Sequence, residues 1–204
     1  MLVSEIFESI QGEGKYTGYP ALFIRLSGCN RKCKICDSKY HIKGEEMTVK
    51  EIITVINGSK LNIVVWTGGE PLLQLQEVYK VVSMTKDKQH HLETNGDLIK
   101  RYDDVMCFEY VCVSPKDLNC CETKRYLIDL IMKYKRGQID IKVVTDLKLN
   151  KELIPYATIL MPLTTFNERR DKDIQQKVWN YCVKNNLRFS FRQHIAVWGT
   201  RRGV

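Results

Sequence analysis

Long apolar runs are missing from this chain: nowhere do about eighteen apolar residues follow one another, so no membrane-spanning helix is expected. Proline and glycine are also scarce, with five and twelve among 204 residues. That scarcity, with ordinary apolar and charged contents, excludes a disordered or low-complexity polypeptide. No linker or internal repeat interrupts the sequence. Met1–Ser9 carries Glu5 and Glu8 and lacks a basic region ahead of an apolar stretch, so it does not read as a signal peptide. The length suits one domain, residues 1–204, with a full hydrophobic core.

Cysteine is plentiful by contrast. Eight cysteines without a secretion signal fit a reducing, cytoplasmic compartment, where they serve as thiols or metal ligands. The net charge of +8 raises the question of a nucleic-acid partner. The basic residues are nevertheless scattered, their densest groups being Arg31-Lys32-Lys34 and Arg201-Arg202, and no nucleic-acid reading module accompanies them. A basic surface serves an anionic small substrate or a reductase partner equally well.

Apolar, β-rich runs alternate with helical patterns, which implies parallel strands joined by crossover helices. Strands are expected at Ala21–Leu26, Ile63–Thr67, His91–Thr94, Val111–Ser114, Asp140–Val144, Thr158–Met161 and Arg188–Gln193. Helices are expected at Val49–Ile56, Leu72–Met84, Arg125–Lys135 and Lys172–Lys184. Thr48 and Glu51 form a capping box ahead of the first. Too few helices are present for eight βα units, so the expected fold is α/β, an incomplete (β/α) barrel with function at the strand C-ends.

Cys29, Cys33 and Cys36 stand as Cys-x3-Cys-x2-Cys directly after the first parallel strand. Three thiolates in so short a segment suit soft metal. On a four-iron cluster they leave one iron without a protein ligand, open to a substrate or cofactor. A zinc site is the alternative, with a fourth ligand from His41 or from Cys107, Cys112, Cys120, Cys121 or Cys182. The second motif is Thr67-Gly68-Gly69-Glu70-Pro71, between a strand and a helix. Its glycines admit close approach of backbone to a ligand, Glu70 and the backbone suit an amine, and Pro71 suits a first helical turn.

These two motifs, in this order, resemble the radical S-adenosylmethionine superfamily. Further residues narrow the resemblance to the 7-carboxy-7-deazaguanine synthase family: Ile10-Gln11-Gly12-Glu13-Gly14, Arg25 within Phe23–Cys29, Cys36-Asp37-Ser38, Glu93-Thr94-Asn95-Gly96, Val113-Ser114-Pro115-Lys116, Ile141-Lys142-Val143-Val144 and Trp198–Val204. The resemblance spans nearly the entire chain.

It implies a radical lyase of 7-deazapurine (queuosine-type) biosynthesis. Such an enzyme converts 6-carboxy-5,6,7,8-tetrahydropterin to 7-carboxy-7-deazaguanine with loss of ammonia, by way of a 5′-deoxyadenosyl radical. Cys29, Cys33 and Cys36 would bind a [4Fe–4S] cluster, and Ser38 would help hold Mg²⁺. S-adenosylmethionine would lie against Ile35, Cys36, Asp37, Gly68, Gly69, Glu70, Ser114, Pro115, Lys116 and Met161-Pro162-Leu163-Thr164. The pterin would meet Ile10, Gln11, Gly12, Glu13, Arg25, Thr67 and the carboxylate of Val204, with Arg25 on the substrate carboxylate. No strongly shifted general base is required. A homodimer, a flavodoxin- or ferredoxin-type electron donor and no direct nucleic-acid or membrane partner are implied as well. Two rivals remain at this point: a glycyl-radical activase of the same superfamily, and a zinc-stabilised nucleic-acid binder.

Overall fold

The computed structural model describes residues 1–33, 36, 43–100, 104–118 and 138–204. Among the described residues nine strands form one sheet: β1 (Leu2–Ile10), β2 (Pro20–Leu26), β3 (Glu45–Glu46), β4 (Ile63–Gly68), β5 (Gln89–Thr94), β6 (Tyr110–Val113), β7 (Ile139–Thr145), β8 (Ile159–Pro162) and β9 (Arg188–Phe189). Their order is β3-β1-β2-β4-β5-β6-β7-β8-β9. From β2 to β9 every pairing is parallel, while β1 lies antiparallel to both β2 and β3. The described strands therefore make an open, mixed sheet, the incomplete barrel expected from the alternating strands and the small number of helices.

Helices α1 (Val49–Gly58), α2 (Leu75–Met84) and α3 (Glu168–Asn185) are the crossovers after β2, β4 and β8, and α4 (Gln193–Trp198) follows β9. The capping box on α1 is present in full: Thr48 Oγ1 accepts from Glu51 N, and Glu51 Oε2 accepts from Thr48 N at 2.7 Å. The helix expected at Leu72–Met84 opens as a 3-10 turn, Pro71–Gln74, before α2 begins. The expected helix Arg125–Lys135 lies outside the described residues.

Period-two alternation sorts the strand residues into two sets. Ile24, Leu26, Val64, Trp66, Leu92, Val111, Ile141 and Val143 pack in the main core, together with Ile52 and Ile56 of α1 and Ile174 and Val178 of α3. Ala21, Phe23, Ile63 and Val65 form a second cluster on the concave face. Arg25, Thr67, Glu93 and Lys142 occupy the same phase as this second set, so the strands aim them inward, toward the C-terminal mouth of the sheet.

Two expectations need correction. The strand expected at Arg188–Gln193 ends at Phe189, because its pairing with β8 covers only Arg188 and Phe189 and Gln193 already opens α4. β1 and β3 were not expected. β1 carries Glu5 and Glu8 within its apolar sequence, and β3 is only two residues long.

Candidate active site

A cavity of about 940 Å³ opens at the C-terminal ends of the parallel strands. It gathers most of the residues singled out from sequence: Ile10–Glu13, Arg25, Cys29, Cys33, Cys36, Thr67–Gly69, Ser114–Lys116, Met161, Leu163 and Val204 all line it. Pro162 and Thr164 do not contribute to its lining, and Ile35, Asp37 and Ser38 lie outside the described residues.

Glu70 is placed differently from the rest. It is fully buried and does not line the cavity. Its Oε1 accepts from Thr94 Oγ1 at 2.7 Å and from Leu72 N at 3.1 Å, and its Oε2 accepts from Asn95 N at 2.8 Å. Burial raises its pKa and these three donors oppose the rise. The carboxylate thus ties the glycine turn to the end of β5, and the surface that the turn offers a ligand is that of Gly68 and Gly69.

The glycines here answer to crowding. Gly68 has φ of +131°, and a Cβ on it would overlap the backbone of Leu26, its partner on β2. A Cβ on Gly12 would stand 2.6 Å from His194 Nδ1, while Gly12 O accepts from Gln193 N at 3.0 Å. The Gln11–Gly14 loop is therefore pressed against the start of α4.

The cavity floor is a buried ionic network. Lys142 Nζ donates to Glu13 Oε2 at 2.6 Å and to Glu93 Oε2 at 2.9 Å. Arg192 Nε approaches Glu13 Oε1 at 3.4 Å, and Gln11 Nε2 lies 3.5 Å from Glu93 Oε1. The two carboxylates titrate in opposite directions. Burial would raise Glu13, but Lys142, Arg192 and His194 outweigh it and hold its pKa at about 2. Burial raises Glu93, and Lys142 cannot offset both the burial and the repulsion from Glu13. Glu93 is consequently the floor carboxylate that takes up a proton first. Lys142 itself is held well above its ordinary value, because burial is outweighed by the anionic groups around it.

At the opposite wall, Arg25 Nε donates to Glu5 Oε2 at 3.2 Å, and Arg202 lies 3.6 Å from Glu5 Oε1. One carboxylate thereby joins the arginine of β2 to the C-terminal segment, which covers this side of the cavity through Arg201–Val204.

Cys29, Cys33 and Cys36 are half-buried free thiols facing the same space as Gly68 and Gly69. Arg31 N donates to Cys29 Sγ at 3.4 Å, and Cys36 N to Cys33 O at 3.3 Å, which turns the loop toward the cavity. Among the described residues no three His, Cys, Asp or Glu side chains converge as one ion would require. A cluster asks for less, since each cysteine holds a separate iron corner. The donor set fits a [4Fe–4S] cluster better than single zinc. Cys112 and Cys182 are buried on β6 and α3, and Cys107 is half-buried, so no second cluster is assembled among the described residues.

No motif assigns a role to Glu93, Lys142, Arg192 or His194, yet they build the floor. The signal for two of them lay in Glu93-Thr94-Asn95-Gly96 and Ile141-Lys142-Val143-Val144, where period two puts a charge on the inner face.

The Radical SAM superfamily model matches residues 23–189. The 7-carboxy-7-deazaguanine synthase of Thermoplasma acidophilum is 38% identical over 71% of this chain and 69% of its own length. Its namesake from Hyperthermus butylicus is 33% identical over 96% and 92%, and that from Pyrobaculum aerophilum 30% over 98% and 96%. The crystal structure of QueE from Escherichia coli superposes with a TM-score of 0.67 over 95% of this chain and 94% of that one, at 24% identity, which bears on the fold alone. No part of this supports a zinc-stabilised nucleic-acid binder. The chain belongs to the radical SAM superfamily and, within it, to the 7-carboxy-7-deazaguanine synthase family.

Proposed function

We propose that the chain is a radical lyase that contracts 6-carboxy-5,6,7,8-tetrahydropterin to 7-carboxy-7-deazaguanine with loss of ammonia, within queuosine-type 7-deazapurine biosynthesis. One observation carries the reading. The three cysteines, the Gly68–Gly69 turn, Arg25 and the Glu13–Lys142–Glu93 floor line one cavity, in a chain whose relatives of near-full length carry the synthase name.

Cys29, Cys33 and Cys36 would hold the [4Fe–4S] cluster. With S-adenosylmethionine bound as well, the cluster would supply the electron for cleavage of the sulfonium, and the cofactor's nucleoside portion would supply hydrogen abstraction from the substrate. The backbone of Gly68 and Gly69 lies open to the amino-acid portion of the cofactor, and Ser114–Lys116, Met161 and Leu163 supply the remaining wall. Arg25 offers its guanidinium fork to the substrate carboxylate. Gln11, Glu13 and Glu93 present an amide and two carboxylates to the ring N–H groups, and Glu93 can hold a proton at the floor. Fixing the reacting carbons in near-attack geometry is the main service these residues provide.

Mg²⁺ at Ser38, a homodimer and a flavodoxin- or ferredoxin-type donor belong to the same proposal. Six free cysteines among the described residues support a reducing, cytoplasmic setting. The test is anaerobic turnover of the reconstituted protein with the pterin, followed by product mass. The expected mass is that of 7-carboxy-7-deazaguanine. Cofactor cleavage without that product rejects the substrate assignment.

A further inference from the structure

Arg31 lies between the first two cysteines and is not used by any of the roles above. Its guanidinium grips Asp97 through Nε and Nη2, the latter at 2.8 Å, and donates through Nη1 to Asp117 at 2.5 Å. Asp97 follows β5 and Asp117 follows β6. The neighbouring Asn30 repeats the pattern: its Nδ2 donates to Asp97 Oδ2 at 2.9 Å, and its Oδ1 accepts from Asn95 Nδ2 at 2.8 Å. Asn95 N in turn donates to Glu70 Oε2, and Asp97 N to Asn95 Oδ1 at 2.9 Å. A continuous chain of polar contacts, Glu70–Asn95–Asn30–Asp97–Arg31–Asp117, therefore links the glycine turn after β4, the cysteine loop and the Ser114–Lys116 segment.

From this geometry we infer that Arg31 is a positioning residue, which holds the cysteine loop in register with the two cofactor-binding segments. The inference rests on the cysteines being cluster ligands. A planar fork bound to one carboxylate at two points fixes both distance and orientation, and the third donor spans to a second strand end. A lysine supplies one flexible ammonium and reproduces the charge without the register. Half-buried, with aspartates on two sides, the clamp is stiffer than a free surface ion pair. Because the Arg31 guanidinium bonds to the two aspartates and not to a thiol, the clamp is dispensable for binding iron and matters for where the bound cofactor meets it.

The test compares wild type with Arg31→Met, Arg31→Lys and Asp117→Asn after anaerobic reconstitution. S-adenosylmethionine affinity is measured per loaded cluster, beside the electron paramagnetic resonance spectrum of the reduced cluster with and without the cofactor. Arg31→Met is expected to weaken cofactor affinity at least tenfold per loaded cluster and to blunt the cofactor-induced change in the spectrum. Arg31→Lys should restore little, and Asp117→Asn should fall between Met and wild type. Should Arg31→Met load poorly, the same normalised affinity in Arg31→Lys and Asp117→Asn decides. Wild-type affinity and spectral response per loaded cluster in these variants overturn the inference. Absence of a cubane signal in wild type instead overturns the cysteine assignment, so the two failures are distinct.

Discussion

Lys142 Nζ lies 2.6 Å from Glu13 Oε2, with the lysine side chain only 4% exposed. The same ammonium meets Glu93, so one buried cation stands between two carboxylates. Replacing it with Lys142→Met leaves both acids in the floor without their shared partner. A loss of about 3–5 kcal/mol in unfolding free energy is expected, read by urea titration. Adding Glu93→Gln should recover part of it, since one of the uncompensated charges is then gone. A loss under about 1 kcal/mol in the single variant would show the floor to be solvated rather than buried.

Gly68 carries the glycine turn on a backbone that other residues rarely adopt, and its α-carbon faces the Leu26 backbone across the β2–β4 pair. Gly68→Ala adds a methyl group where backbone already lies, and backbone cannot swing aside as a side chain can. The expected cost exceeds about 3 kcal/mol, seen as a lowered melting temperature of the apoprotein. Unchanged melting would mean that the turn relaxes freely, and its rigid presentation of backbone to a ligand would then be lost as an idea.

These two residues also mark what sequence reading reaches. The central strands were legible because Ile63–Thr67 is a near-continuous apolar run, as a strand buried on both faces is, and Asp140–Val144 alternates charged with apolar residues before two valines. β1 was not, because Glu5 and Glu8 in Leu2–Ile10 suggest solvent, whereas Glu5 turns toward Arg25 and Arg202. The cysteine triplet and glycine turn announce their chemistry locally. Glu70 does not: its burial depends on donors from Thr94 and Asn95, more than twenty residues away in sequence. Lys142 was opaque for a related reason, since a lysine is buried only when distant acids meet it. Residues that act through spacing stand out in the sequence, and the structure brings them to one cavity; those that act through partners from other strands required the fold.

His91 gives a prediction in pH. It is buried against Tyr16 and Tyr110, and neither ring nitrogen has a hydrogen-bond partner among the described residues. Burial, with lesser help from His90 and Lys15, lowers its pKa from 6.5 to about 4. The unfolded chain therefore binds the proton more readily. His91 leaves stability untouched above pH 6.5 and subtracts from it as pH falls from there toward 4. The penalty near pH 4.5 is on the order of 2–3 kcal/mol. Denaturant titrations of wild type and His91→Phe should diverge by that amount in acid, with the phenylalanine variant falling less steeply. Parallel pH profiles would place a proton acceptor or water beside the ring.

The C-terminal segment separates the pterin reading from the activase reading. Val204 lines the cavity, and Gly203 packs near Glu5, the carboxylate that also holds Arg25. Stopping the chain after Arg202 keeps the Arg202–Glu5 contact but removes two residues that line the cavity. For a pterin enzyme, KM for the pterin should rise about tenfold or more while S-adenosylmethionine affinity holds, because the lost contacts serve substrate alone. An activase works on a partner polypeptide and has no use for a small-molecule wall there, so its cofactor cleavage and its radical transfer should survive the cut. Steady-state kinetics with the pterin and a cofactor-binding isotherm on the same sample decide between them. An unchanged KM would remove Val204 from the substrate site.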